Sequence, residues 1–131
     1  MKLVIDRWKG NRNQPQEVHG PSWGDVEYWV GRLDGQLHTQ LCLERQGCHI
    51  LIGGGPERFN ACITTWNEEE ERFFTLTNPT GNATDQIGLV AGGQLGLYPA
   101  NTVVELGQVM TALRVFFESG NVDSDQAWEE R

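Results

Sequence analysis

The sequence predicts an α+β fold: a meandering antiparallel sheet with two main helices, in a single domain spanning residues 1–131. Three observations predict it. Leu37, Thr39, Leu41 and Leu43 alternate with polar neighbours, as do Phe59, Ala61 and Ile63, which is the period of half-buried strands. Turn-forming pairs at Gln46-Gly47 and Gly92-Gly93 interrupt such runs as hairpin connections do. Finally, Leu106, Val109, Met110, Leu113, Phe116 and Phe117 recur at three- and four-residue steps, the stripe of a helix buried on one face.

Taken in order, Leu3-Val4-Ile5 and Trp8 read as an opening strand, followed by a polar loop at Gly10–Pro15. Ser22 is placed to cap a helix whose Trp23, Val26, Val30 and Leu33 share a face, with Asp25 and Glu27 near the favourable N-terminal end and Asp34-Gly35 as its stop. From Gln36 the period changes to that of a strand. Gln46-Gly47 turns it into Cys48–Ile52, making a hairpin, and Gly53-Gly54-Gly55-Pro56 breaks the sheet. A second hairpin joins Phe59–Trp66 to Arg72–Thr77 through a polar turn at Asn67–Glu71. After a loop at Asn78–Ala83, Gly92-Gly93 makes a third hairpin from Ile87–Ala91 and Gln94–Tyr98. The helix from Leu106 ends at Ser119-Gly120, a C-cap pattern, and both helices are expected on one face of the sheet.

Composition narrows the function. At 38% hydrophobic residues, with five Trp and five Phe, the chain has enough apolar surface to fold without staples. Its three cysteines, Cys42, Cys48 and Cys62, are an odd number with no Cys-x-x-Cys pair, so they read as buried thiols on strands. The N-terminal apolar run is too short for a signal peptide and no segment approaches a membrane span, so a cytoplasmic protein without membrane contact is expected. A net charge of -8 opposes binding to nucleic-acid phosphate and suits a basic partner. The charge is uneven: Lys2, Arg7, Lys9 and Arg12 outnumber Asp6 and Glu17 in the first twenty residues, whereas acids crowd Glu68–Glu71 and the tail from Glu118.

Catalytic constellations are not legible. Gly53-Gly54-Gly55-Pro56 lacks the Lys-Ser/Thr of a phosphate loop, and Gly92-Gly93 lies between strands rather than before a helix. Glu68–Glu71 lacks the glycine and closing glutamate of a calcium loop. Cys48, His49, His38 and His19 match no standard metal spacing. The expectation is a binding protein with no catalytic residue, no metal and no cofactor.

A family resemblance enters with Gly54-Gly55-Pro56-Glu57-Arg58-Phe59, the strands through Gly92-Gly93, Pro99–Glu105, the helix ending Phe116-Phe117-Glu118-Ser119-Gly120, and the closing Trp128-Glu129-Glu130. These pieces, best over about residues 36–130, resemble the first-numbered immunity-protein family of bacterial polymorphic toxin systems, which often sits beside nucleic-acid deaminase toxins. The family's usual Pro after the helix-terminal Gly is absent, with Asn121-Val122-Asp123-Ser124 in its place. The resemblance implies a cofactor-free α+β protein that inhibits a cognate toxin by occluding its active site or substrate groove; the toxin is expected from a neighbouring gene, and the protein itself is expected to be a monomer or weak homodimer. The partner-binding candidates are Trp66, Glu68, Glu69, Glu70, Glu71, Asp123, Asp125, Trp128, Glu129 and Glu130. Ordinary solvation is the plain alternative for the acids, and pinning of the tail onto the core is the preferred alternative for Trp128. Rival readings are a chaperone or adaptor for a secreted effector, and a small hydrolase or deaminase-like enzyme using His49, Cys48 or Cys62.

Overall fold

The computed structural model describes residues 1–131. Its strands are β1 (Lys2–Ile5), β2 (Trp8–Lys9), β3 (Arg12–Asn13), β4 (Gln16–His19), β5 (Gln40–Arg45), β6 (Cys48–Gly54), β7 (Arg58–Trp66), β8 (Glu71–Leu76), β9 (Gln86–Ala91), β10 (Gln94–Pro99), β11 (Val104–Glu105) and β12 (Trp128–Glu130). Two helices, α1 (Trp23–Val30) and α2 (Leu106–Ser119), complete an α+β architecture. The main sheet is antiparallel, in the order β12-β8-β7-β6-β5-β1-β4, with β11 added to the start of β7. The expected hairpins at Gln46-Gly47, Asn67–Glu71 and Gly92-Gly93 are all present, and all three cysteines lie on strands.

The sheet is buried by its period-2 pattern. Leu3, Ile5, Leu41, Leu43, Ile50, Ile52, Phe59, Ala61, Ile63 and Leu76 point to one side, where they meet Val26 and Val30 of α1 and Val109, Ala112, Leu113 and Phe116 of α2 in one core. Both helices therefore cover the same face, as expected. Trp23 of α1 packs on Phe117 of α2, ring centroids 5.5 Å apart. The Ser22 cap is reciprocal: Asp25 N–H donates to Ser22 Oγ at 3.1 Å and Ser22 N–H to Asp25 Oδ2 at 2.9 Å. At the end of α2, Gly120 takes the left-handed conformation at φ 73° and donates its N–H to Phe116 O, the stop read from Ser119-Gly120.

Five expectations shift, each for a local reason. Gly53 and Gly54, expected to break the sheet, stay in β6 and pair with Asn60 and Phe59 of β7, so the chain reverses only at Gly55-Pro56. The first helix ends at Val30 instead of Asp34, because Gly31 closes it and a tight turn brings Leu33 N–H back to Val30 O. The strand after Asp34 starts at Gln40, because the Asp34 carboxylate accepts the N–H groups of Gln36, Leu37 and His38, and Asp6 accepts that of Thr39, so none is left for a ladder. The polar stretch after Trp8, expected as a loop, folds into the small β2–β3 hairpin and leads to β4, an edge strand beside β1. Leu106, counted in the helix stripe, stays exposed in the first turn of α2.

One carboxylate organises the Gly53 end of the sheet. Asp6 is buried just after β1 and accepts hydrogen bonds from Trp8 Nε1 (2.7 Å), Thr39 N (2.6 Å), Gln40 N (3.0 Å) and the Thr39 hydroxyl. The Thr39 Oγ1 in turn accepts the N–H of Gly93 at 2.9 Å, and His38 Nδ1 lies 2.7 Å from Asp6 O. This network docks the β9–β10 turn over the end of the sheet. Gly93 is required there, since a Cβ would fall 2.3 Å from the Trp8 ring, and a Cβ on Gly53 would meet Ala91 of β9 at 2.7 Å.

Leu113 is fully buried in the middle of α2, so Leu113→Ala is expected to cost about 2–5 kcal/mol through lost contact and a residual cavity; urea unfolding measures it, and an unchanged midpoint would contradict the packing described. A second expectation concerns acid. Partial burial would push the Asp34 carboxyl up, but the backbone donors Gln36, His38 and Leu37 and the nearby His38 ring outweigh it and hold Asp34 below its ordinary value. Because the folded-state value is lowered, its stabilisation is present above the unfolded pKa near 3.8 and is lost as pH falls through the lowered folded value. Thermal melts of wild type and Asp34→Ala should differ at pH 7 and draw together as pH falls through that lowered value; a gap independent of pH would show that the carboxylate charge is not what stabilises the loop.

Candidate protein-docking face

The face of the sheet opposite the helices has no covering layer over most of its extent, and strand register says which side chains it shows. One cross-strand row runs His19, Lys2, Glu44, His49, Thr64, Phe73. The next runs Glu17, Val4, Cys42, Leu51, Cys62, Thr75, Glu129. A third, Gln40, Gly53, Asn60, is where the β9–β10 hairpin closes over the face through Ala91. The far end, where Trp66 is paired with Glu71, stays open.

At the β4 side the charges are satisfied. Lys2 Nζ lies 3.3 Å from Glu44 and 3.7 Å from Glu17, and the hydrogen bond to Glu44 with the two neighbouring carboxylates raises its pKa. Burial pushes the Cys42 thiol up to about 11, and that of Cys48 up as well, so both are protonated at neutral pH. Cys48 and His49, adjacent in sequence, point to opposite faces: Cys48 Sγ reaches Gly120 O on the helix side, while His49 packs against Trp66 on the open side, ring centroids 5.4 Å apart. Cys62 Sγ faces Thr75 Oγ1 at 3.7 Å.

At the Trp66 end the surface is aromatic and acidic. Trp66 is 43% exposed and Phe73 is 37% exposed, both on the open face. Arg131 N–H donates to Phe73 O at 3.0 Å and its guanidinium sits 5.9 Å from the Phe73 ring, so Glu71, Phe73 and Arg131 line a shallow depression. Beyond it, the turn holding Glu68, Glu69 and Glu70 is shaped by Asn67, whose Oδ1 accepts the N–H groups of Glu69 (2.8 Å) and Glu70 (3.0 Å). None of Glu68, Glu69, Glu70 or Glu71 takes part in an ion pair, whereas Glu17, Glu44, Glu118 and Glu130 each do.

The ten candidates from the sequence therefore separate. Trp66, Glu68, Glu69, Glu70 and Glu71 come together at one end of the open face, and Glu129 shares that face through its pairing with Thr75. Glu130 turns to the other side and binds Arg72, whose Nε donates to Oε1 at 2.6 Å and Nη2 to Oε2 at 3.2 Å. Asp123 is the correction: it is only 3% exposed, and its carboxylate accepts the Asp125 N–H (3.0 Å) and Gln126 Nε2 (3.0 Å), so it belongs to the interior of the tail. Asp125 is exposed on the loop between α2 and β12. Trp128 packs against the core and donates Nε1–H to Asp123 O at 2.8 Å, which pins the tail onto β8. Sequence reasoning missed Phe73, His49 and Arg131, whose place depends on register; counting back from the Asn67–Glu70 turn sets Trp66 opposite Glu71 and would have placed Phe73 on the same face.

No helix is long and apolar enough to cross a membrane. No curated protein is a significant match to the chain. The family model described as Immunity protein Imm1 matches residues 14–130, beginning well before the stretch near residue 36 where the resemblance was legible. With nearly the whole chain matched and the α+β architecture in place, this protein belongs to the Imm1 immunity protein family.

Proposed function

We propose that this immunity protein binds and neutralises a nucleic-acid-targeting toxin, of the deaminase type, encoded by the adjacent gene, and that it does so in the cytoplasm by seating the Trp66 end of its open sheet face over the toxin's substrate groove. The observation that carries the reading is the cluster of four glutamates without ion pairs beside two exposed aromatic rings, on a face that no helix covers. A groove that grips nucleic acid must present Lys and Arg to phosphate, and these carboxylates meet such a surface in place of the phosphates. Trp66 and Phe73 supply the apolar anchors around which an interface concentrates its affinity, while the acidic turn steers encounter. Glu129 adds to the same field, and Asp125 and Glu130 lie outside the docking set. Occlusion of this kind asks nothing of the immunity protein in the way of catalysis, metal or cofactor.

Stopped-flow association with the adjacent gene product tests the reading. Replacing Glu68, Glu69, Glu70 and Glu71 together by Gln should slow association about tenfold at low salt and flatten its salt dependence. The melting temperature should hold, because the turn is exposed and its backbone is shaped by Asn67. An unchanged association rate would remove the acidic turn from the interface. If wild type neither binds nor inhibits the adjacent gene product, that pairing fails.

A further inference from the structure

The most exposed apolar side chains of the protein are Leu95 and Leu97, at 72% and 66%, and both lie on β10, far from any role in the docking face described above. They sit in the segment Gln86–Val104, which contains no charged residue although the chain as a whole carries a net charge of -8. Strand β10 pairs with β9 alone, so its other edge is free. The two-residue Gly92-Gly93 turn makes Ala91 and Gln94 the first hydrogen-bonded pair, and Ala100 N–H donating to Asp85 O at 2.8 Å continues that alternation beyond the strand. Gly96 and Tyr98 therefore bond inward to β9, while the N–H and C=O groups of Leu95 and Leu97 point outward from the edge.

We propose that this edge is a self-association site, where β10 pairs antiparallel with β10 of a second copy about a two-fold axis at Gly96. The spacing is self-complementary. Leu95 of one protomer exchanges N–H···O=C bonds with the partner's Leu97, and the symmetric exchange follows at the other side of the axis. Leu95 and the partner's Leu97 then form cross-strand apolar pairs on one face, while Gly96, over whose other side the Tyr98 ring lies, adds no side chain at the axis. Edges are normally blunted by charge, and this one carries none; only Pro99, which lacks an N–H, limits it at its end. Charge also selects the occupant: two acidic copies repel each other, so they approach best along an uncharged segment, whereas a basic toxin gains no steering there. One short strand edge is a small interface, so the dimer is weak.

Sedimentation equilibrium from about 5 µM to about 500 µM tests the proposal, a range chosen to span weak association. Wild type should rise from monomer towards dimer mass, more readily at high salt, where the repulsion is screened. Leu97→Pro removes an outward N–H not used within the hairpin, and Leu95→Lys adds charge while keeping the backbone intact; both should remain monomeric with wild-type circular dichroism. Should Leu97→Pro fail to fold, Leu95→Lys alone decides. A wild type that stays monomeric throughout, or a dimer that Leu95→Lys leaves unchanged, overturns the proposal. So does a monomeric wild type whose toxin binding is weakened by Leu95→Lys, since the edge would then belong to the toxin. The sedimentation arm needs no toxin, so a wild type that stays monomeric leaves the immunity reading untouched.

Discussion

The rest of the structure depends on a sheet that helices cover on one side only. Two helices of 8 and 14 residues cannot cover both faces of a seven-strand path, and their apolar stripes converge on a single core. Period-2 alternation then dictates the rest: each strand that sends Leu, Ile or Phe to the helices must present its intervening residues to the other side. Those residues are not uniformly polar. Val4, Cys42, Leu51 and Cys62 are half-buried along the middle, charged pairs flank them at β4, and Trp66 with Phe73 ends the face at the acidic turn. A helix-free sheet face of this composition is a surface suited to contact with another protein.

The Asp6 network determines how much of that face is available. A buried carboxylate is stable only when its oxygens are satisfied, and Asp6 achieves this by gathering the Trp8 indole, two backbone N–H groups and the Thr39 hydroxyl. Through Thr39 it also holds Gly93, and with it the β9–β10 hairpin, across the Gly53 end of the sheet. The hairpin closes one end of the face and leaves the Trp66 end to solvent. It also presents its own free edge outward, so the same hydrogen-bond network separates the acidic Trp66 end of the face from the uncharged strand β10.

Elements with long, repeated patterns were legible in the sequence: the α2 stripe, the Gly92-Gly93 hairpin and the alternating strands from Leu41 to Leu76. Short elements were not. Strands β2, β3, β11 and β12 are two or three residues long, too short to show a period, and exist because a neighbouring strand offers them a ladder. The proposed docking region can be read from sequence where it depends on adjacency, as Trp66 and Glu68–Glu71 do, and not where it depends on register, as for Phe73 and Arg131. Asp123 shows the limit of reading charge as exposure: tail acids look alike in sequence, yet the Asp125 N–H and the Gln126 amide draw this one inside. Partner choice among the three cysteines and His49 also lay beyond sequence, because adjacent residues on a strand face opposite ways.

The central claim is that the toxin is met by the Trp66 end of the helix-free face. Amide hydrogen exchange of the immunity protein, alone and bound to its toxin, tests this most directly, because it reports the contacted segments without altering any residue. The account predicts new protection concentrated in Trp66–Phe73 and at Glu129–Arg131, with α1 and α2 unchanged. Protection confined to the helical face, with the Asn67–Glu71 turn exchanging as freely in the complex as alone, would contradict it.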